Sequence, residues 1–339
     1  MAPDMTESNQ PVLAIFGPTG SGKSAVAEAV ADRIPAEIVS ADSMQVYRGL
    51  PILTNQPARP TRLVAIWELD YEASVGEYAK LAQHAVDEAL TEGITPLVVG
   101  GTGLYLRAAL VDLDLPPAPS LGARPRFEEL YDSLGPEGAH ALLVERDPRA
   151  AETVHANDRR RVVRALELAA AGESLAQSPS RLWTRETRHP TLVFGLDVPR
   201  EVLAARIEAR TRAMFEHGVE EEAARAAAGP LSSTAAQVIG LREIMELPRE
   251  EAAAAIVRRT LQYAAYQRKW MRRIPGVVPL AAERAPAEVA KALLVAARAR
   301  FTFLGSKKKV PPASEKVGPI TPGTPFDSFG LHAKGPADR

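Results

Sequence analysis

The sequence has no cysteine in 339 residues, which rules out disulfides, thiolate zinc sites and a cysteine nucleophile together. Histidine is scarce: His84, His140, His155, His189, His217 and His332 stand alone, with no pair at ligand spacing, so a histidine metal site is not expected. No apolar run approaches the roughly eighteen residues needed to cross a bilayer. The opening "MAPDMTESNQP" lacks the basic start and apolar middle of a secretory signal. A cytoplasmic protein with no membrane association is the expectation, and a monomer suffices for it. With 41 basic against 42 acidic residues the net charge is −1. That total says nothing about nucleic acid, because partners are read from how charge is distributed.

What the chain does have is length, enough for two domains or one domain with a large insertion. Strand and helix signals alternate over its first hundred residues. "VLAIF" (12–16) reads as a buried strand, 23–33 as a helix and "AEIVSA" (36–41) as a second strand. "GEYAKLAQHAVDEALTEG" carries an apolar stripe at Tyr78, Leu81, Ala82, Ala85, Val86, Ala89 and Leu90, closed by Gly93. It leads into "TPLVVGG" (95–101), a continuous apolar strand of the kind found in sheets covered on both faces.

At about residue 112 the proline-rich "DLDLPPAPSLGARP" marks a boundary, and the chain to residue 188 is helical in character. "PTLVFGLDV" (190–198) returns to strand, and helices dominate from 200 to 300. The organisation read from this is a phosphate-loop α/β parallel sheet core whose first part is 11–112, a mainly helical insertion over 113–188, and the rest of the core with C-terminal helices over 189–304. Residues 305–339, rich in Pro, Gly, Ser and Lys, predict a disordered tail.

"GPTGSGKS" matches G-x-x-x-x-G-K-[ST] across Gly17, Pro18, Thr19, Gly20, Ser21, Gly22, Lys23 and Ser24, between a strand and a helix, the context the motif requires. Backbone N–H groups turn inward around a phosphate chain, the helix N-terminus adds partial positive charge, and Lys23 reaches the outer phosphates. Ser24 is positioned to hold Mg2+ on them. The loop alone leaves open which phosphate compound is bound.

Asp42 follows the second strand at the sheet edge where ligands sit in open parallel sheets. That position admits three roles: magnesium ligand, general base, or cap of the next turn. Thr102 follows the third strand at the same edge.

"GPTGSGKS", "SADSMQVYRGLPILT", "GGTGLYLRA", "HANDRRRVVRALE" and "QVIGLRE" occur in this order along the chain. Together they resemble the tRNA dimethylallyltransferase family. The resemblance implies that the loop binds dimethylallyl diphosphate, whose diphosphate is a leaving group. The prenyl group would pass to the exocyclic N6 amine of the adenosine immediately 3′ of the anticodon. Asp42 matches the family's general base and Thr102 a hydroxyl near the same amine, while Arg210 in "RIEARTRAM" matches an arginine assigned to the diphosphate.

Basic residues cluster in "RRTLQYAAYQRKWMRR", where Arg258, Arg259, Arg268, Lys269, Arg272 and Arg273 are interleaved with Tyr263, Tyr266 and Trp270, and no acid occurs. Such a run suits an RNA backbone and unstacked bases, and equally a solvated helix face. The resemblance favours RNA, the tRNA anticodon stem-loop. It implies contacts at Asp42, Ser43, Met44 and Gln45, at Thr102, at Arg160, Arg161, Val162, Val163 and Arg164, at Gln237, Val238, Ile239, Gly240, Leu241 and Arg242, and at Arg124.

This chain departs from the family pattern in reading "RLVAIW" where members commonly carry a histidine pair around 62–66. Gln56 stands at a frequent lysine position, and Ala265 and Tyr266 replace a basic pair. A transferase of the same prenyl group to free adenine nucleotides, a phosphate-loop small-molecule kinase and a non-catalytic RNA-binding protein are the competing readings. The 113–188 insertion argues against the first, the "RRVVR" and "QVIGLR" segments against the second, and the intact Asp42 and Thr102 against the third.

Overall fold

A computed structural model describes residues 10–116, 123–176 and 181–301. The tail over 305–339 and part of the proline-rich boundary lie outside the described residues. In chain order the core elements are β1 (Val12–Phe16), α1 (Lys23–Ala31), β2 (Ala36–Ser40), α2 (Val75–Thr91), β3 (Thr95–Gly100) and α3 (Gly103–Leu110). The helices α4 (Ala123–Arg146), α5 (Pro148–Ala151) and α6 (Arg159–Ala170) follow. The chain then runs through β4 (Thr191–Asp197), α7 (Arg200–Glu216), α8 (Val219–Ala227), α9 (Leu241–Glu246), α10 (Arg249–Arg273), β5 (Val278–Ala281) and α11 (Pro286–Arg300).

The strands form one parallel sheet in the order β2-β3-β1-β4-β5. Parallel strands need both faces covered, and β1 shows how its short apolar run meets that need. Side chains alternate across a strand. Val12, Ala14 and Phe16 therefore pack with Tyr78, Ala82 and Val86 of α2 and Leu106 of α3. Leu13 and Ile15 point the other way, onto Val26 and Val30 of α1 and Leu293 of α11. Leu13, Ile15 and Phe16 are fully buried, each contributing roughly 1.5–3 kcal/mol of transfer free energy.

This topology positions the site. β2, β3 and β1 are neighbours, so the turns at their carboxyl ends, carrying Asp42, Thr102 and the glycine loop, line up along one edge. The Ser74 side chain caps α2, its Oγ accepting from Glu77 N while bonding the Glu77 carboxylate.

α4, α5 and α6 lie within the stretch expected as a helical insertion and have their own apolar cluster around Phe127, Tyr131, Leu143, Val162 and Leu166. α4 bends at Gly135, whose φ of 71° precedes Pro136. The base of this unit is clamped to the core. Arg188 N donates to Leu110 O at 2.9 Å, and the Arg188 guanidinium reaches Asp87 at 2.9 Å and Asp112 at 3.1 Å. Buried Arg107 of α3 donates to the carbonyls of Arg181 and Thr184.

Two features differ from the sequence reading. The helical run from 200 to 228 divides at Gly218, whose φ of 84° starts α8 afresh. Within 200–300, which reads as helical, "VPLA" forms the edge strand β5, with Pro279 opposite Gly195. An edge position tolerates proline because one side of the strand needs no ladder donor.

Candidate functional site

The glycine loop, the turn after β2 and α7 enclose a cavity of about 420 Å3, lined among others by Lys23, Ser24, Asp42, Arg206, Arg210 and Tyr263. Gly22, at φ 88°, is the N-cap of α1 and offers no side-chain acceptor to the first-turn N–H groups, which is the arrangement in which a helix start receives an anion. Lys23 Nζ donates to Pro18 O at 2.9 Å, holding the ammonium over the loop. Burial pushes Lys23 down to about 8, against the opposing pull of the Asp42 carboxylate, and Arg210 lowers it further. Arg210 Nη1 donates to Thr19 Oγ1 at 3.0 Å, while its buried Nε has no partner among the described residues. A buried donor of this kind calls for an acceptor, and a phosphate oxygen in the cavity would be one.

Asp42 is half-buried, and its Oδ1 accepts from Met44 N at 2.9 Å. The carboxylate thus caps the following turn and faces the cavity from the same position. Thr102, the N-cap of α3, makes no side-chain cap bond. Its Oγ1 stands 3.3 Å from Ser43 N, Ser43 Oγ and the Tyr263 hydroxyl. The hydroxyl therefore sits between the β2 turn and α10. Burial, with the nearby Asp42 charge, raises the Tyr263 hydroxyl, which keeps it protonated.

Gln45 is a brace in this wall. Its amide donates to the Thr54 and Asn55 carbonyls and its oxygen meets Ser40 Oγ at 2.9 Å. Gln56 donates to Tyr47 O at 2.8 Å, so the departure at this position has a local structural role. Buried Glu222 of α8 accepts from Ile52 N and Leu53 N, holding the same loop from behind.

The residues implied as RNA contacts divide into two groups. Arg160, Arg161, Gln237 and Arg242 are exposed. Val162, Val163, Val238 and Leu241 are buried at 0–3 % exposure, with Val162 and Val163 in the core of the insertion and Val238 and Leu241 in a cluster with Met214 and Ile256. Gly240 is buried and Ile239 half-buried. Arg124 and Arg164 both bind Glu167, whose side chain is 1 % exposed, at 3.2 and 3.0 Å. A buried carboxylate held between two guanidiniums knits α4 to α6. The carboxylate Asp158 N-caps α6 by accepting from Arg161 N, so the exposed arginines begin at a fixed helix start.

Three groups at the site were not singled out from sequence. Arg206 lies one turn before Arg210 on α7, and the spacing of four marks a shared helix face. Glu222 and Gln267 come from helices distant in the chain, and no local pattern identifies them.

A family model described as "IPP transferase" matches residues 45–274, and one described as "Isopentenyl transferase" matches residues 10–62. A tRNA dimethylallyltransferase of Streptomyces coelicolor is 37 % identical over 280 residues, covering 78 % of this chain and 88 % of that protein. Its counterpart from an Anaeromyxobacter species (strain Fw109-5) is 40 % identical over 278 residues, covering 78 % and 93 %. Among solved structures, the tRNA isopentenylpyrophosphate transferase of Bacillus halodurans aligns with a TM-score of 0.61 at 29 % identity over 85 % of this chain and 96 % of that one. A eukaryotic dimethylallyltransferase acting on tRNA aligns at 0.71 and 25 % identity, over 89 % and 82 %. With a glycine loop following the central strand of a parallel sheet, and a family model matching residues 45–274, more than half of the chain, the chain belongs to the IPP transferase family.

Proposed function

We propose that this chain transfers a dimethylallyl group from dimethylallyl diphosphate to the exocyclic N6 amine of the adenosine immediately 3′ of the anticodon in tRNA. The observation that carries the reading is a single cavity in which an anion-binding loop with Lys23 and Arg210 lies close to the Asp42 carboxylate. The reaction breaks the bond between the allylic carbon and the diphosphate oxygen and forms a carbon–nitrogen bond. The amine loses one proton.

An adenine amine is a weak nucleophile because its lone pair is delocalised into the ring, and a carboxylate that accepts the proton as the new bond forms raises its reactivity. Asp42 takes that part, with Thr102 orienting the amine alongside it. Lys23, Arg210 and the N–H groups at the start of α1 stabilise charge accumulating on the departing diphosphate. Ser24 lines the same cavity and supplies a hydroxyl oxygen, a donor type Mg2+ takes when phosphate oxygens and water complete its shell. Bound there, the ion would neutralise diphosphate charge.

Reaching a base of the anticodon loop requires it to leave its stack and enter the cavity. The exposed arginines of α6 and the basic face of α10 supply phosphate contacts for the stem-loop. Arg160→Ala is expected to reduce the slope of log affinity against log salt by about 0.7–0.9, the effect of losing one phosphate contact, with unchanged thermal stability. Glu167→Ala is expected to lower the thermal midpoint instead, because it leaves two guanidiniums without their buried carboxylate. Salt-titrated binding of a stem-loop RNA, paired with thermal melts, separates the two.

The deciding assay incubates the protein with unmodified tRNA, magnesium and labelled dimethylallyl diphosphate, with ATP in a parallel reaction, followed by digestion and mass analysis of the nucleosides. Prenylated adenosine from the anticodon loop is the expected product. Label on free adenine nucleotides, or phosphate moved from ATP to an acceptor, with no label in RNA, would overturn the proposal.

A further inference from the structure

Gln267 of α10 is 2 % exposed and is bound by two backbone groups from opposite sides of the site. Its Oε1 accepts from Thr19 N, in the glycine loop, at 2.7 Å. Its Nε2 donates to Gly101 O, in the turn between β3 and α3, at 3.0 Å. A backbone N–H can only donate and a carbonyl can only accept, so these partners leave one orientation for the amide and require both of its ends. The Tyr263 hydroxyl, one turn earlier on α10, lies beside the same amide and bonds to Thr102.

The bridge reaches back 248 residues to the glycine loop and 166 residues to the turn after β3. It fastens the element that would hold the leaving group to the turn that carries Thr102. On the loop side it continues through Thr19, whose hydroxyl accepts from Arg210. Because the Thr19 N–H is committed to Gln267, it is turned away from the diphosphate. The anion is left to the N–H groups that follow.

The contact on the other side is equally tight. A Cβ at Gly101 would overlap the Gln267 amide, and a Cβ at Gly103 would overlap the Trp270 ring. Thr102 is thus pinned between two glycines that let α10 press directly on the turn. Arg268, the next residue of α10, donates to Val198 O at the end of β4, which fixes the helix against the sheet.

The geometry points to Gln267 as a positioning residue that sets the distance between the donor and acceptor halves of the site. This rests on the prenyl-transfer reading above. Gln267 touches no reacting atom. It acts through Thr19 and Gly101, and its loss lets the two halves drift while each keeps its own ligand contacts. An in-line displacement depends on the approach of amine to allylic carbon, and misplacement by about 1 Å costs on the order of a hundredfold.

The test uses Gln267→Met, similar in length and volume but without either hydrogen bond, and Gln267→Glu, which keeps an acceptor for Thr19 N–H and loses the donor to Gly101 O. Single-turnover rates are measured with saturating tRNA and dimethylallyl diphosphate and divided by the folded fraction from circular dichroism. Binding of inorganic pyrophosphate with magnesium, and of the tRNA, is titrated separately. For Gln267→Met the rate per folded molecule is expected to fall at least about tenfold, with both dissociation constants within about threefold of the parent. Gln267→Glu is expected to fall as well, because one half of the bridge is gone.

A rate per folded molecule within twofold of the parent would remove the proposal, as would a rate loss accounted for entirely by weakened binding. If Gln267→Met does not fold, the Gln267→Glu rate decides by the same criterion. Should the unaltered protein transfer no prenyl group to RNA, the reading of function fails first, and that result is distinct from a normal parent with an unaffected variant.

Discussion

Asp42→Asn is expected to lower single-turnover prenyl transfer at least about a hundredfold, the lower end of what a positioned general base contributes, while tRNA affinity stays within about threefold. The substitution is nearly isosteric. An asparagine carbonyl can still accept from Met44 N, so the turn that Asp42 caps at 2.9 Å keeps its geometry. What disappears is the proton acceptor. The comparison belongs near pH 7, because the Asp42 charge also supports protonation of Lys23; at higher pH its removal would weaken donor binding and blur the result. Activity surviving within a few-fold would leave Asp42 as a turn cap and assign the proton elsewhere. Ordinary RNA binding with lost turnover would place the defect in the chemical step.

Much of the core was legible because its signals are local. β1 matches its predicted span, β2 and β3 stop one residue short of theirs, and β4 is one residue shorter at each end, since continuous apolar runs bounded by turn residues permit few alternatives. The glycine loop was equally plain, its conformation being encoded in eight consecutive residues. β5 was hidden for the opposite reason: four residues with a proline and alternating exposure make an edge strand only because β4 supplies a partner. Between Val46 and Ser74 the backbone follows tertiary contacts rather than local pattern. Leu63 and Ala65 adopt φ of 64° and 53° there, which non-glycine residues rarely do without surrounding support. Ala65 N bonds to Gln45 O and Arg62 N to Ile38 O, contacts that no periodicity announces.

The site shows the same division. Asp42 and Thr102 could be placed at one edge from strand order alone, but their relation to α10 could not. Tyr263 and Gln267 stand within a run that reads as a basic, aromatic helix face, yet both turn into the cavity wall. The valines of "RRVVR" illustrate the converse. Matched as part of a contact segment, their side chains are core; Arg160 and Arg161 project outward, while Arg164 turns in to the buried Glu167 carboxylate. A motif of this kind mixes buried and exposed positions, and its sequence does not separate them.

Lys23 gives the second large effect. Its ammonium is held by burial at about 8, well under the model-compound value of 10.5. The unfolded chain therefore binds more protons than the folded one between those values. The group's cost to stability is fully present below about 8 and is relieved as pH rises toward 10.5. A diphosphate in the cavity reverses the local balance, since added negative charge favours the ammonium. Binding at pH above 8 then requires proton uptake, and donor affinity is expected to fall by up to about tenfold per pH unit between 8 and 10. Lys23→Met should lower affinity for pyrophosphate on the order of a hundredfold at pH 7, as loss of a charge-assisted contact in a shielded site does, and should abolish this alkaline dependence. Lys23→Arg should bind with little change across the same range, because a guanidinium stays charged. Titration calorimetry at several pH values, in buffers of different ionisation enthalpy, measures affinity and proton uptake together. An alkaline loss that persists in Lys23→Met would trace the titration to another group and remove Lys23 from contact with the diphosphate.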